Sequence, residues 1–238
     1  MKKTIILFCV AIISISCVNT ILKSYGVFDN QSKITSITNG EKSIVFIEIN
    51  HIGKKEFYND VKFKVDSLEA KDYSILYEQV ILQSNLSKED KNLYFLKIRK
   101  LGMYGLEFDT LNNKLFNFKL KEKLYKQPKY FKLGVDTLKS IRADVYLNDL
   151  IDLYEKENGN IVLDSCDFIT KKESNYICEK SKFINKNYYL LDFRNKKVVE
   201  KINEEKNNKI AIIYGKAHVV GIIEILQKED NRWRLIKK

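Results

Sequence analysis

The sequence predicts an α/β protein built on a mostly parallel central sheet with flanking helices. Three observations carry this expectation. Residues 44–47, 73–77 and 210–213 are short, mostly apolar runs, the pattern of strands covered on both faces. Phe57, Val61, Val65 and Leu68 make one helical stripe within residues 55–71, between the first two runs. Strand, helix and strand in so short a span form the βαβ pattern of a parallel sheet. A chain of 238 residues, 45% hydrophobic and 31% charged, suits one compact domain.

Taken in order, the chain opens with Met1-Lys-Lys-Thr and a mostly apolar run over residues 5–15. That run falls short of the roughly 20 residues that span a bilayer, and it has the build of an export signal covering residues 1–16. It ends Ser14-Ile-Ser-Cys17, which resembles a bacterial lipobox, although leucine is usual where Ser14 stands. Cys17 is then the expected lipidation site. The expectation is an exported protein of the bacterial cell envelope, anchored to the membrane by lipid; an ordinary cleaved signal peptide is the other reading. Residues 17–40 are polar and read as a tether, with the α/β domain over 41–238. Export leaves Cys166 and Cys178 as a pair in an oxidising compartment, expected to form a disulfide.

Beyond the first βαβ unit, residues 87–90 have a capping-box start, and their helix runs to about residue 100 before Gly102. Phe116, Phe118 and Leu120 alternate with polar residues and suggest a strand. The aromatic stretch around Pro128 reads as core or lid. Residues 147–156 form a helix ahead of Gly159, and residues 160–186 an insertion or helical hairpin that holds the cysteine pair. A helix over 187–204 has the stripe Leu191, Val198, Val199 and Ile202, but Arg194 and Asn195 fall on the same face. Burying them without partners would cost several kcal/mol. They therefore enter a structural salt bridge or face a polar cleft. A last helix covers 219–226, and residues 233–236 an edge strand.

The chain has only two histidines, and they stand in matching places. His51 follows the first apolar run and His218 the last, each three residues or more beyond it and each followed by a glycine. Glu48 and Glu78 also stand at strand ends. Ligands of open parallel sheets bind outside the carboxyl ends of strands, so one rim would receive all of these groups. Gly215 lets backbone come close, and the helix after it favours an anion. Two mechanisms follow. His51, His218 and Glu78 hold a divalent metal (Mn, Co or Zn) with a position open for water, or a histidine paired with a glutamate activates water directly. No Gly-x-Ser-x-Gly and no Gly-x-Gly-x-x-Gly occurs, which disfavours serine nucleophiles and nucleotide chemistry.

Gly215-Lys-Ala-His218-Val-Val-Gly221 resembles the second Gly-x-x-His motif of the TraB/PrgY/GumN family, relatives of the Tiki proteases. Asp192-Phe-Arg-Asn195 is similar to that family's Arg-Asn helix, Arg142-Ala-Asp144 to its Ala-Asp step, and Tyr77-Glu78 to its strand-ending glutamate. The resemblance runs from about residue 43 to 236. It implies a sheet of two related halves, with Glu78 and the two histidine motifs clustered and a metal-dependent peptidase activity. The first motif departs from it. Glu48 stands where the family has glycine, which is closer to the erythromycin-esterase-like proteins, distant relatives that hydrolyse esters without a metal. The ChaN lipoproteins, which bind haem, are a third relative.

The expectation is thus a hydrolase of small peptide or ester substrates. His51, Glu78, His218, Glu48 and Arg194 are its catalytic candidates, and Gly215 and Asn195 bind the ligand. A haem- or peptide-binding envelope lipoprotein is the alternative. The net charge of +11 comes from lysines interleaved with acids. No basic arm or groove-reading motif appears, so no nucleic acid is expected; an anionic membrane surface is the easier partner.

Overall fold

The computed structural model describes residues 20, 22–103, 122–171 and 174–236. The expected signal, Cys17 and the strand at Phe116, Phe118 and Leu120 lie outside the described residues.

The strands are β1 (Ile34–Thr38), β2 (Ser43–Ile49), β3 (Ile52–Gly53), β4 (Ser74–Tyr77), β5 (Tyr125–Lys126), β6 (Ile141–Arg142), β7 (Lys209–Gly215) and β8 (Arg234–Leu235). Six of them form one sheet in the order β6-β4-β7-β2-β1-β8, and β3 pairs with β5 apart from it. Four consecutive strands, β6, β4, β7 and β2, are parallel. β1 is antiparallel to β2 and to β8. The mostly parallel sheet is therefore as expected, and β7 from late in the chain is inserted between β2 and β4 from its beginning.

The helices are α1 (Lys55–Glu69), α2 (Lys88–Lys100), α3 (Leu147–Asn158), α4 (Ser165–Ile169), α5 (Phe193–Glu204) and α6 (Lys216–Glu229). Side chains alternate across a strand, and that alternation sorts the core. Ile44, Phe46, Leu76, Ile210, Ile212 and Tyr214 pack on Val198, Val199, Ile202, Ile222 and Leu226 of α5 and α6. Ile47, Ile49, Ile75, Tyr77 and Ile213 pack on Phe57, Val61 and Val65 of α1. Each large aliphatic so buried contributes about 1.5–3 kcal/mol. A third cluster joins Ile98 of α2, Leu150 and Ile151 of α3 and Tyr189. Among the described residues no helix is long and apolar enough to cross a membrane.

Four expectations are corrected. The tether does not extend to residue 40: Ile34–Thr38 is a strand paired with β2, Val27 is buried, and Asn50 Nδ2 donates to the Gly26 carbonyl at 3.1 Å. The serines and threonines that suggest a linker belong to an outer strand with a polar face, while Ile37 is fully buried. Residues 160–186 are not a helical hairpin. They hold the single short helix α4, capped by Asp164, and the Cys166–Cys178 disulfide, with Cα atoms 5.8 Å apart. Buried Arg99 of α2 donates to the carbonyls of Thr170, Lys171 and Ser174 and docks this segment. The helix expected over 187–204 is two pieces: Tyr188–Asp192 is wound as a π-helix, with the Phe193 amide bonded to the Tyr188 carbonyl, and α5 follows. The last helix begins at Lys216, which places His218 in its first turn.

Candidate active site

β2, β7 and β4 end level. Ile49 pairs with Gly215, Tyr77 pairs with Ile213, and the Glu78 amide donates to the Ile213 carbonyl at 3.1 Å. The residues just beyond these ends, His51, Glu78 and His218, therefore meet at one rim of the sheet.

Glu78 is the centre of that rim and is only 5% exposed. Its Oε1 accepts from Arg194 Nη2 at 2.5 Å, and its Oε2 from the Gly215 amide at 2.6 Å. A side chain at Gly215 would place its Cβ 3.0 Å from Oε2, so the glycine is what allows the carboxylate so close. The anion expected at the start of the last helix is thus Glu78 itself. Arg194 also binds Asp144, with Nε to Oδ1 at 3.0 Å and Nη2 to Oδ2 at 2.9 Å. It lies over the Tyr214 ring, 5.8 Å from its centroid. The Tyr214 hydroxyl is buried against Asp144 without completing a well-formed hydrogen bond. Two buried carboxylates share one guanidinium, a pairing needed because an uncompensated buried charge is costly.

The charges follow from this arrangement. Burial alone would raise Glu78, but Arg194 and the two histidines outweigh it and hold the carboxyl below the usual glutamate range. For Asp144 burial prevails over Arg194, and its pKa rises. Burial opposes charge on Arg194 too, yet Tyr214, Asp144 and Glu78 keep it firmly protonated. The π-helical turn delivers Arg194 and Asn195 to the buried face. Such turns are common at functional sites.

His218 is 4% exposed. Its Nδ1 is 2.7 Å from Asn195 Oδ1, its Nε2 is 3.8 Å from Glu78 Oε1, and its ring packs edge-on against Tyr214 at 4.8 Å. An amide oxygen only accepts, so Nδ1 carries the proton. Burial lowers the His218 pKa to about 4, against a partial pull upward from Glu78, so the ring is neutral at neutral pH. Asn195 fits because residue 221 is glycine: a Cβ there would stand 2.4 Å from Asn195 Nδ2.

A cavity of about 450 Å³ opens at this rim, walled by His51, Ile52, Glu78, Gln79, Val80, residues 126–131, Thr137 and Arg194. His51 is half-buried, and its Nδ1 is 2.9 Å from Gln127 Oε1. The Gln127 amide N–H donates to the His51 carbonyl at 2.8 Å, continuing the β3–β5 pairing. The buried Tyr130 side chain faces the Gln127 carboxamide, and burial and then Glu78 push its pKa well up. Tyr130 stacks at a tilt on Tyr77, with centroids 4.9 Å apart.

The structure thus brings His51, Glu78 and Arg194 to one cavity. His218 is buried beside Glu78, with Asn195 bonded to it, and neither lines that cavity. Gly215 serves Glu78. Glu48 is not drawn in: it lies on β2, farther from β4, where its Oε1 accepts from Thr35 Oγ1 of β1 at 3.2 Å. Gln127 was not singled out by sequence reasoning, and Tyr130 was read only as core or lid; one amide in a lysine-rich stretch beside the only proline carries no pattern. Among the described residues no three His, Cys, Asp or Glu side chains gather to hold a metal ion. Both Glu78 oxygens are committed, one of them to a guanidinium standing where a cation would be repelled. This donor set does not fit a resident metal.

The chain matches no known family model, and no solved structure matches it. It is similar to terpene synthase 2 of Dictyostelium purpureum, with 30% identity over 145 residues that cover 57% of this chain and 40% of that protein. The match spans less than half of that relative's length.

Proposed function

We propose that this chain is an exported, lipid-anchored hydrolase of peptide or ester bonds, of the TraB/GumN type, in which His51 activates water without a metal. One observation carries the reading: His51, Glu78 and Arg194 share the wall of a single cavity at the carboxyl ends of parallel strands. With its proton on Nδ1 toward Gln127, the His51 ring accepts a proton at Nε2 as water adds to the carbonyl of the substrate. The ionised Glu78 stabilises the imidazolium by its charge. His51 then returns the proton to the leaving group. Arg194 keeps Glu78 ionised, and its positive charge at the cavity wall favours the oxyanion that forms. Neutral His218 fills the space beside Glu78 without competing for its charge.

Turnover of a mixed library of small peptides and esters tests the reading. Wild-type protein is expected to cleave a member, and His51→Ala to lower that rate by about 10²–10⁴-fold. Absence of cleavage for every member, or a His51→Ala rate equal to wild type, would overturn it. Anchoring is tested separately: in a bacterial host the chain is expected in the membrane fraction with acyl mass on Cys17, and Cys17→Ser without it.

A further inference from the structure

We infer that Gln127 is a positioning residue that fixes His51 in the Nδ1–H tautomer and so makes Nε2 its basic nitrogen. The argument starts from the amide. Gln127 has one acceptor, Oε1, and one donor group, its NH₂. Oε1 is 2.9 Å from His51 Nδ1. The NH₂ group is the part left to face Tyr130. An acceptor facing Nδ1 requires a proton there, and a neutral imidazole has only one. Gln127 therefore orients the ring. The backbone adds a second hold, since the Gln127 amide donates to the His51 carbonyl at 2.8 Å. Side chain and main chain together keep the loop after β2 in one position relative to β5. The pattern repeats at His218, where Asn195 Oδ1 faces Nδ1 at 2.7 Å. A carboxamide thus sets each histidine of the chain in the same way, although the two amides come from unrelated segments.

Because there are only two histidines, imidazole ¹⁵N spectra of the full-length chain contain two ring systems, and His218→Gln identifies which is which. In its neutral form the wild-type His51 ring is expected to show a protonated Nδ1 and an unprotonated Nε2. Gln127→Met keeps the length of the side chain but cannot accept at that position. It should return His51 to a tautomer mixture with Nε2–H present and lower kcat by about 10–100-fold, with KM little changed. Gln127→Glu restores an acceptor, and should recover the Nδ1–H form. A wild-type ring protonated on Nε2, or a Gln127→Met spectrum equal to wild type, overturns the inference. The spectra need no substrate: the expected tautomers with no hydrolysis of any library member would sink the hydrolase reading and leave this one standing.

Discussion

The Gly215 amide donates to the Glu78 carboxylate at 2.6 Å, so the residue that ends β7 holds the residue just beyond β4. The glycine is required by closeness, not by conformation. Its backbone, at φ −56 and ψ 133, is one that any residue adopts. Gly215→Ala places a methyl 3.0 Å from Oε2 and 3.5 Å from the His218 ring, in a fully packed region. It is expected to destabilise the fold by about 1–3 kcal/mol, read from urea denaturation, and to reduce turnover. Unchanged stability would show that the carboxylate has room to withdraw.

Gly221→Ala carries two opposed effects. Alanine gains about 1 kcal/mol in a helix interior over glycine, while the new methyl meets Asn195 Nδ2 at 2.4 Å and overpacks the site. In wild type the substitution should destabilise. In an Asn195→Ala background the obstructing amide is gone, and the same substitution should stabilise. This sign reversal in a double-mutant cycle is the measurement; additive effects would mean the two residues do not meet.

Acid should weaken the fold through His218. Its folded pKa of about 4 lies below the ordinary histidine value of 6.5, so between those values the unfolded chain binds more protons and stability falls with falling pH. The loss approaches about 3 kcal/mol near pH 4. Glu78, also depressed, adds loss below the ordinary glutamate value. Asp144, raised, acts the other way, giving stability that fades as pH rises through its folded pKa. Arg194 and His51, which face the same cluster, favour neutral His218. His218→Gln should flatten the denaturation profile between pH 4 and 6.5. An unaltered slope would show that His218 is not the group titrating.

Treatment with a chelator is expected to leave turnover unchanged, because Arg194 stands against the Glu78 oxygen a metal would need. Loss of rate restored by Mn, Co or Zn would return the metal-dependent reading. Added haem should give no Soret band; a band abolished by His51→Ala would favour a binder.

Much of this site was legible because strands announce themselves. Runs of isoleucine and valine at 44–47 and 210–213 located β2 and β7, and the residues beyond them located the rim. Arg194 and Asn195 stood out as polar groups on an apolar stripe, and both proved to have buried partners. Other parts left no such trace. β1 hides in a serine- and threonine-containing stretch because its outer neighbour is short and its exposed face polar. Glu48 and Glu78 look alike at strand ends, but only the order of strands in the sheet separates them. Gln127 works through one side-chain bond and one backbone bond, which no periodicity reports.

The wide turn at Tyr188–Asp192 holds one residue more than an α-helical turn would need, and each residue of an α-helix advances the side chains by about 100°. Shortening that turn by a single residue would swing the guanidinium and the carboxamide out of the interior while leaving composition and helical content almost untouched. Chain length here thus carries information that residue identity does not: two sequences alike in every motif, but differing by one position in this turn, would not share the same chemistry.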